Sequence, residues 1–216
     1  MGLHKDVGED NMHEPKGMKP LVSGAADIGK VVVSKGDGTT EVRKLSHSDL
    51  ADTPVRMGMW DYNDVTTIAT PIALTVADVE YPLTNDGAGP NTNVTYALPA
   101  LANIWNVATN RLDFSMLGLG DTVDARIDVE VTTTGVNHEI ALFWQFGEGG
   151  TPYELQIVRQ NFKNAGTYTF TVLHSAYMGD ANTRDNPSVF LMASDSTGDT
   201  VTVNGWFIRT ITRSNF

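Results

Sequence analysis

The chain of 216 residues contains no cysteine, which rules out disulfides and thiolate metal sites and leaves the redox compartment unread. It has no apolar run approaching the ~18 residues that a membrane helix needs. Its first ten residues, MGLHKDVGED, hold no apolar stretch of the kind a secretory signal uses. Lysine is almost missing after residue 50: six of the seven lysines lie in the first fifty positions. Residues 1–50 are therefore near neutral at −1, whereas residues 51–216 carry −10. An acidic body repels phosphate, so nucleic acid is not expected as a partner, and with no spanning run neither is a membrane. With 41% hydrophobic and 19% charged residues, the composition is that of a globular protein.

What is present divides at about residue 52. Residues 1–29 hold five glycines, two prolines and isolated apolar side chains without a period. Such a stretch cannot offset its conformational entropy by burying its own surface. Next, Lys30-Val31-Val32-Val33-Ser34 and Thr39-Thr40-Glu41-Val42-Arg43-Lys44-Leu45 flank Gly36-Asp37-Gly38, a hairpin signal over residues 30–45. Ser46 to Asp52 suits one helical turn, with Ser46 as its N-cap and Pro54 as its stop. Residues 1–52 thus read as an arm and 53–216 as a folded domain.

The domain is read as all-β. From Thr122 to Thr132, Val123, Ala125, Ile127, Val129 and Val131 alternate with Asp124, Arg126, Asp128 and Glu130. Period two over that length marks an antiparallel strand with one buried face. His138–Phe146 is apolar on both faces around Phe143 and Trp144, which suggests a core on one side and an oligomer contact on the other. Further strands are expected at 57–62, 68–76, 79–83, 111–116, around Tyr153–Ile157 and Tyr168–Val172, and at 189–192 and 201–212. Asn204-Gly205 is read as a kink within the last strand rather than a hairpin turn. Residues 98–108 fit helical spacing, yet Ile104–Val107 and Arg111–Phe114 also fit a hairpin turning at Thr109-Asn110, the preferred reading. Short strands separated by Gly, Asn and Asp predict an antiparallel jelly roll or β-sandwich.

Chemistry is sparse. The five histidines show no HExxH spacing, and no Gly-x-Ser-x-Gly elbow accompanies His138-Glu139 or His174-Ser175. No catalytic residue, cofactor or metal is assigned. Asp124, Asp128 and Glu130 share one strand face and read as a solvated exterior rather than a glycosidase pair. The aromatics fall at core-facing positions, apart from the two-sided Phe143-Trp144. Asp180 to Asn186 has a faint calcium-loop spacing, but Arg184 opposes it and a self-capped turn explains it.

Two resemblances add to this reading. His13-Glu14-Pro15-Lys16-Gly17, followed by Gly29-Lys30-Val31-Val32-Val33 and Gly36-Asp37-Gly38, resembles the amino-terminal segment of many tailed-bacteriophage virion proteins. There a His-x-Pro-Lys-Gly pentad precedes a valine strand and a Gly-x-Gly turn. The resemblance implies that His13, Glu14, Pro15, Lys16 and Gly17 dock on a virion protein such as the major capsid protein; the bland alternative is an exposed turn. Ile104-Trp105-Asn106, Leu112-Asp113-Phe114, Gly120-Asp121-Thr122-Val123, Arg126–Val131, Tyr168-Thr169-Phe170 and Val201–Trp206 are similar to the jelly-roll domains of phage head-decoration and fibre proteins. Those domains resemble tumour-necrosis-factor heads, which implies a homotrimer on the outer surface of the particle, with Phe143 and Trp144 as contact candidates. The expected function is a structural capsid-decoration or head-fibre protein without enzyme activity. The alternative is a tail-associated protein that binds a host receptor or surface glycan through loops 84–93 and 179–186. A glycan hydrolase is a third, less favoured reading.

Overall fold

A computed structural model describes residues 30–34, 38–44, 55–63, 66–84, 93–98, 104–106 and 108–213. The chain divides into two units, Met1–Pro54 and Val55–Phe216. In the first unit, β1 (Lys30–Ser34) pairs antiparallel with β2 (Thr40–Lys44), Val32 opposite Val42. The pentad at residues 13–17, expected to dock, and the helical turn expected at 46–52 lie outside the described residues.

The second unit is a jelly-roll β-sandwich. Its chain order is β3 (Arg56–Tyr62), α1 (Thr66–Ala69), β4 (Ile72–Leu74), β5 (Tyr81–Pro82), β6 (Trp105–Asn106) and β7 (Arg111–Leu112). There follow β8 (Thr122–Thr133), β9 (His138–Phe146), β10 (Tyr153–Phe162), β11 (Gly166–Tyr177), α2 (Ala181–Asp185), β12 (Val189–Ser194) and β13 (Asp199–Thr212). One sheet runs β11-β8-β13-β3, with β4 also on β13; the other runs β10-β9-β12-β5. Every described pairing is antiparallel. Among the described residues no helix is long and apolar enough to cross a membrane.

Alternation dictates the core. Val123, Ala125, Ile127, Val129 and Val131 of β8 are all 0% exposed, and each apolar side chain so buried stabilises the fold by about 1.5–3 kcal/mol for the larger residues. From the facing sheet come Ile140, Leu142, Trp144 and Phe146 of β9, and Phe190 and Met192 of β12. Aromatic rings join the layers: Trp144 lies 4.8 Å from Phe190, and Phe190 5.9 Å from Trp206. The hairpin of β6 and β7 sets Trp105 opposite Leu112 and brings the Trp105 ring 4.7 Å from Trp206. Its turn runs through Ala108 to Asn110, as the sequence predicts.

The kink in β13 is a bulge, with a register shift between Val203 and Gly205. Gly205 is required there because a Cβ would lie 2.4 Å from the Tyr62 carbonyl oxygen. The bulge also corrects the expected strand at 68–76. Thr67 Oγ1 donates to the Val203 carbonyl at 2.9 Å and accepts from the Val203 amide at 3.1 Å. That pairing holds residues 66–69 in a helical turn, leaving only Ile72–Leu74 as strand. The strand expected at 111–116 also stops early. Asp113 accepts from the Ser115 amide at 2.9 Å, and Leu117 N–H donates to the Phe114 carbonyl at 2.8 Å, which turns the chain.

Candidate functional site

The β-sandwich is sealed unevenly. β10 and β11 are terminal strands of the two sheets, and neither has a second strand partner among the described residues. Their edges run side by side without joining. Tyr168, Phe170 and Val172 point inward from β11 yet remain only half-buried, as do Leu155, Ile157 and Val158 of β10. The register of β10 shifts between Gln156 and Val158, so Ile157 is a surplus residue in a β-bulge. The resulting cleft has a volume of ≈ 450 Å³, and Ile157, Val158, Phe162, Tyr168, Phe170 and Val172 supply its apolar walls. No Asp, Glu, Lys or Arg lines it. At its lip Leu173 is 71% exposed.

The structure separates the two expected contact residues. Trp144 is fully buried, with its Nε1 donating to Ser188 Oγ at 3.2 Å. It has no surface to offer another subunit, because its parity along β9 is that of Ile140 and Leu142. Phe143 does face outward and is half-buried. It lies in a shallow depression rimmed by Asp78, Glu80, Glu139 and Asp195, with Arg159 paired to Glu139. Burial first, then the neighbouring Glu154 carboxylate, pushes the Glu80 carboxyl above its ordinary value.

The acidic face of β8 is outward, as expected, and each carboxylate is occupied. Asp124 accepts from Ser175 Oγ at 2.6 Å and Arg209 Nε at 2.9 Å. Burial pushes its carboxyl up, but these two partners outweigh that and hold it below the usual range. Asp128 accepts from Thr171 at 2.6 Å.

Sequence reasoning missed a polar cluster built around a buried carboxylate. Asp199 is fully buried and accepts from Ser194 Oγ at 2.6 Å and from the Thr134 amide at 2.8 Å. His138 Nδ1 lies 2.9 Å from both of its oxygens. Burial pushes the Asp199 carboxyl up; the bonds from Ser194, Thr134 and His138 more than offset this and lower it. The order is Ser–Asp–His, with the serine on the carboxylate rather than on the imidazole. The other imidazole nitrogen abuts Gly135, where a Cβ would lie 2.3 Å away. A nucleophile relay needs serine beside histidine. This arrangement instead latches the β8–β9 turn to β12 and β13. Nor do His174 and Ser175 combine: His174 faces inward, its ring edge-on to Trp144, and Ser175 faces outward.

The loop at 179–186 forms α2, with Asp180 as its N-cap. Asp180 accepts from the Thr183 amide at 2.7 Å, Asp185 pairs with Arg184, and Asn182 accepts from the Thr151 amide at 2.9 Å. These oxygens are bonded within the protein rather than gathered as a calcium cradle. No group of three or more metal-ligating side chains is found among the described residues. Residues 85–92 of the other expected binding loop lie outside the described residues. Surface aromatics, which the sequence reading placed inward, do occur: Tyr96 is 71%, Tyr177 66% and Tyr153 38% exposed.

No family model matches the chain, and no curated protein matches it. Solved structures with a similar fold include infectious bursal disease virus Gx strain, at 8% identity and TM-score 0.42, covering 85% of this chain and 37% of that one. Eiger TNF from S. frugiperda aligns at 8% identity and TM-score 0.33, over 76% of this chain and 95% of that one. The CBM22-1 xylan-binding domain from Paenibacillus barcinonensis Xyn10C aligns at 10% identity and TM-score 0.32, over 47% of this chain and 64% of that one. The chain thus spans less than two thirds of the bursal virus and xylan-binding chains. These likenesses concern the fold alone and carry no functional argument.

Proposed function

We propose that the protein is a structural virion protein of a tailed bacteriophage, held to the particle by its N-terminal segment and assembled as a homotrimer through the β10–β11 cleft. One observation carries the assembly: an uncharged apolar cleft along two open strand edges of a body whose net charge is −10. Copies of an acidic body repel one another over most of their surface. Contact through the Phe143 depression would bring together its four rim carboxylates and those of a second copy. Contact through the cleft brings together none and covers half-buried core side chains. The number three, the outer surface of the particle and the docking role of His13 to Gly17 rest on the sequence resemblance. Trimerisation would multiply weak contacts of three docking segments through effective concentration. The role in this reading is attachment rather than turnover, and the Ser–Asp–His cluster around Asp199 serves as a structural latch.

Solution mass tests the assembly. The full chain of 23.4 kDa is expected at about three times that mass, and Leu173→Glu is expected at the monomer mass with an unchanged circular dichroism spectrum. A Leu173→Glu protein that keeps the oligomer mass removes the cleft from the interface. Docking is tested separately by deleting residues 1–30: particles decorated at full occupancy by the truncated chain would exclude it.

A further inference from the structure

Beyond the apolar stretch, at the end where β10 begins and β11 finishes, the chemistry of the cleft changes. A second cavity of ≈ 350 Å³ opens between Tyr153 and Tyr177, with Leu155, Ser175, Ala176, Gly179, Asp180 and Thr183 in its wall. This volume lies at the lower end of the ~300–1,000 Å³ typical of small-molecule sites.

Both aromatic rings are held. Tyr153 stacks on the fully buried Phe146, centroids 5.6 Å apart and planes 18° apart, and its Oη is 2.9 Å from Thr183 Oγ1. Tyr177 lies against the Gly179 backbone: a Cβ at 179 would be 2.6 Å from the ring, so a larger residue would push it away. Asp180 is fixed between them, its Oδ1 accepting from Thr183 N at 2.7 Å and Thr183 Oγ1 at 2.8 Å. These two bonds hold its carboxyl below the usual range, so it is an ionised acceptor at neutral pH.

The lining selects a ligand class. No Lys or Arg lines the cavity, so phosphorylated, sulfated and uronate ligands have no counter-charge and meet an acidic protein. An acyl chain would desolvate the ionised Asp180 carboxylate and the wall hydroxyls without offering them a hydrogen bond. A pyranose offers what the walls lack: C–H faces to cover tyrosine rings, and hydroxyls to donate to a carboxylate and exchange hydrogen bonds with Ser175 and the tyrosine hydroxyls. We infer that the cavity between Tyr153, Tyr177 and Asp180 is a binding site for a neutral saccharide. Leu173 and the side chains that wall the apolar cleft do not line this cavity, so its test can be read apart from that of the contact between copies.

The test is saturation-transfer NMR and calorimetry on the full chain with maltotriose, cellotriose and triacetylchitotriose, and with trigalacturonate and choline as charged probes. At least one neutral trisaccharide is expected to bind with a Kd near ~1 mM, an affinity reached by few contacts. Tyr177→Ala, at an exposed position, is expected to weaken it at least about ten-fold, Asp180→Asn to weaken it less, and Leu173→Glu to leave it unchanged. No binding of any neutral probe at about 10 mM overturns the inference. So does binding that survives Tyr177→Ala, or a site that takes choline or trigalacturonate in preference.

Discussion

β8 and β11 are neighbours in one sheet, equal in length and alike in alternation, yet they end in different circumstances. The inward residues of β8 are sealed completely because β11 and β13 flank it on both sides. Those of β11 stay half-open because its outer edge faces only the edge of β10. Alternation therefore tells which face of a strand is apolar, whereas position in the sheet decides whether that face is finished. On the assembly proposed above, this unfinished apolar face is the surface that a second copy would cover.

Matched truncations break the comparison most sharply. Val129→Ala in β8 removes two carbons from a sealed site between Phe170 and Val203, and is expected to cost about 2.5 kcal/mol in urea denaturation. Val172→Ala in β11 is expected to cost ~1 kcal/mol or less when measured on the monomeric Leu173→Glu background. In the assembled protein its cost should grow and become concentration-dependent, since self-association would finish the burial. Equal costs for the two valines in the monomer would erase the distinction between the strands.

The latch at Asp199 comes next. Asp199→Asn keeps the shape but weakens bonds from Ser194, Thr134 and His138, with an expected loss of about 2 kcal/mol. The native carboxyl titrates below its unfolded value of ~3.9. Its contribution is therefore present above that value and is lost as pH falls through the lower folded value. Acid titration of stability should be steeper for the native protein than for Asp199→Asn; parallel curves would show that the latch plays no part. The smallest effect is expected at the Arg111–Glu148 pair, which ties the β6–β7 hairpin to the loop after β9 and is partly exposed. Arg111 holds the Glu148 carboxyl below its usual range, mainly by hydrogen bonding. Glu148→Gln should cost only ~0.5 kcal/mol, with added salt reducing the difference.

Much of the architecture was legible in the sequence, because strand alternation is a local pattern. The β8 faces, the bend at Asn204-Gly205 and the hairpin turning at Thr109-Asn110 could all be read from neighbouring residues. The helical turn at 66–69 could not, since Thr67 bonds Val203, far away in the chain. The Asp199 latch is likewise assembled from distant turns. Trp144 was a different kind of error: its parity with Ile140 and Leu142 already placed it inward, but two adjacent large aromatics suggested two functional faces. Tyr153 and Tyr177 carry no motif, and Asp180 was legible only as part of the loop at 179–186. They meet because β10 and β11 end at the same rim of the sandwich, a consequence of topology rather than of spacing.

The surplus residue in β10 has a practical meaning for a chain just leaving the ribosome. In a single copy, two long strand margins offer their backbone amides and carbonyls to any passing β-segment. Ile157 throws one of these margins out of step and adds twist, so a stranger cannot zip along its full length. A small irregularity thus works against runaway edge-to-edge pairing where the sandwich is open.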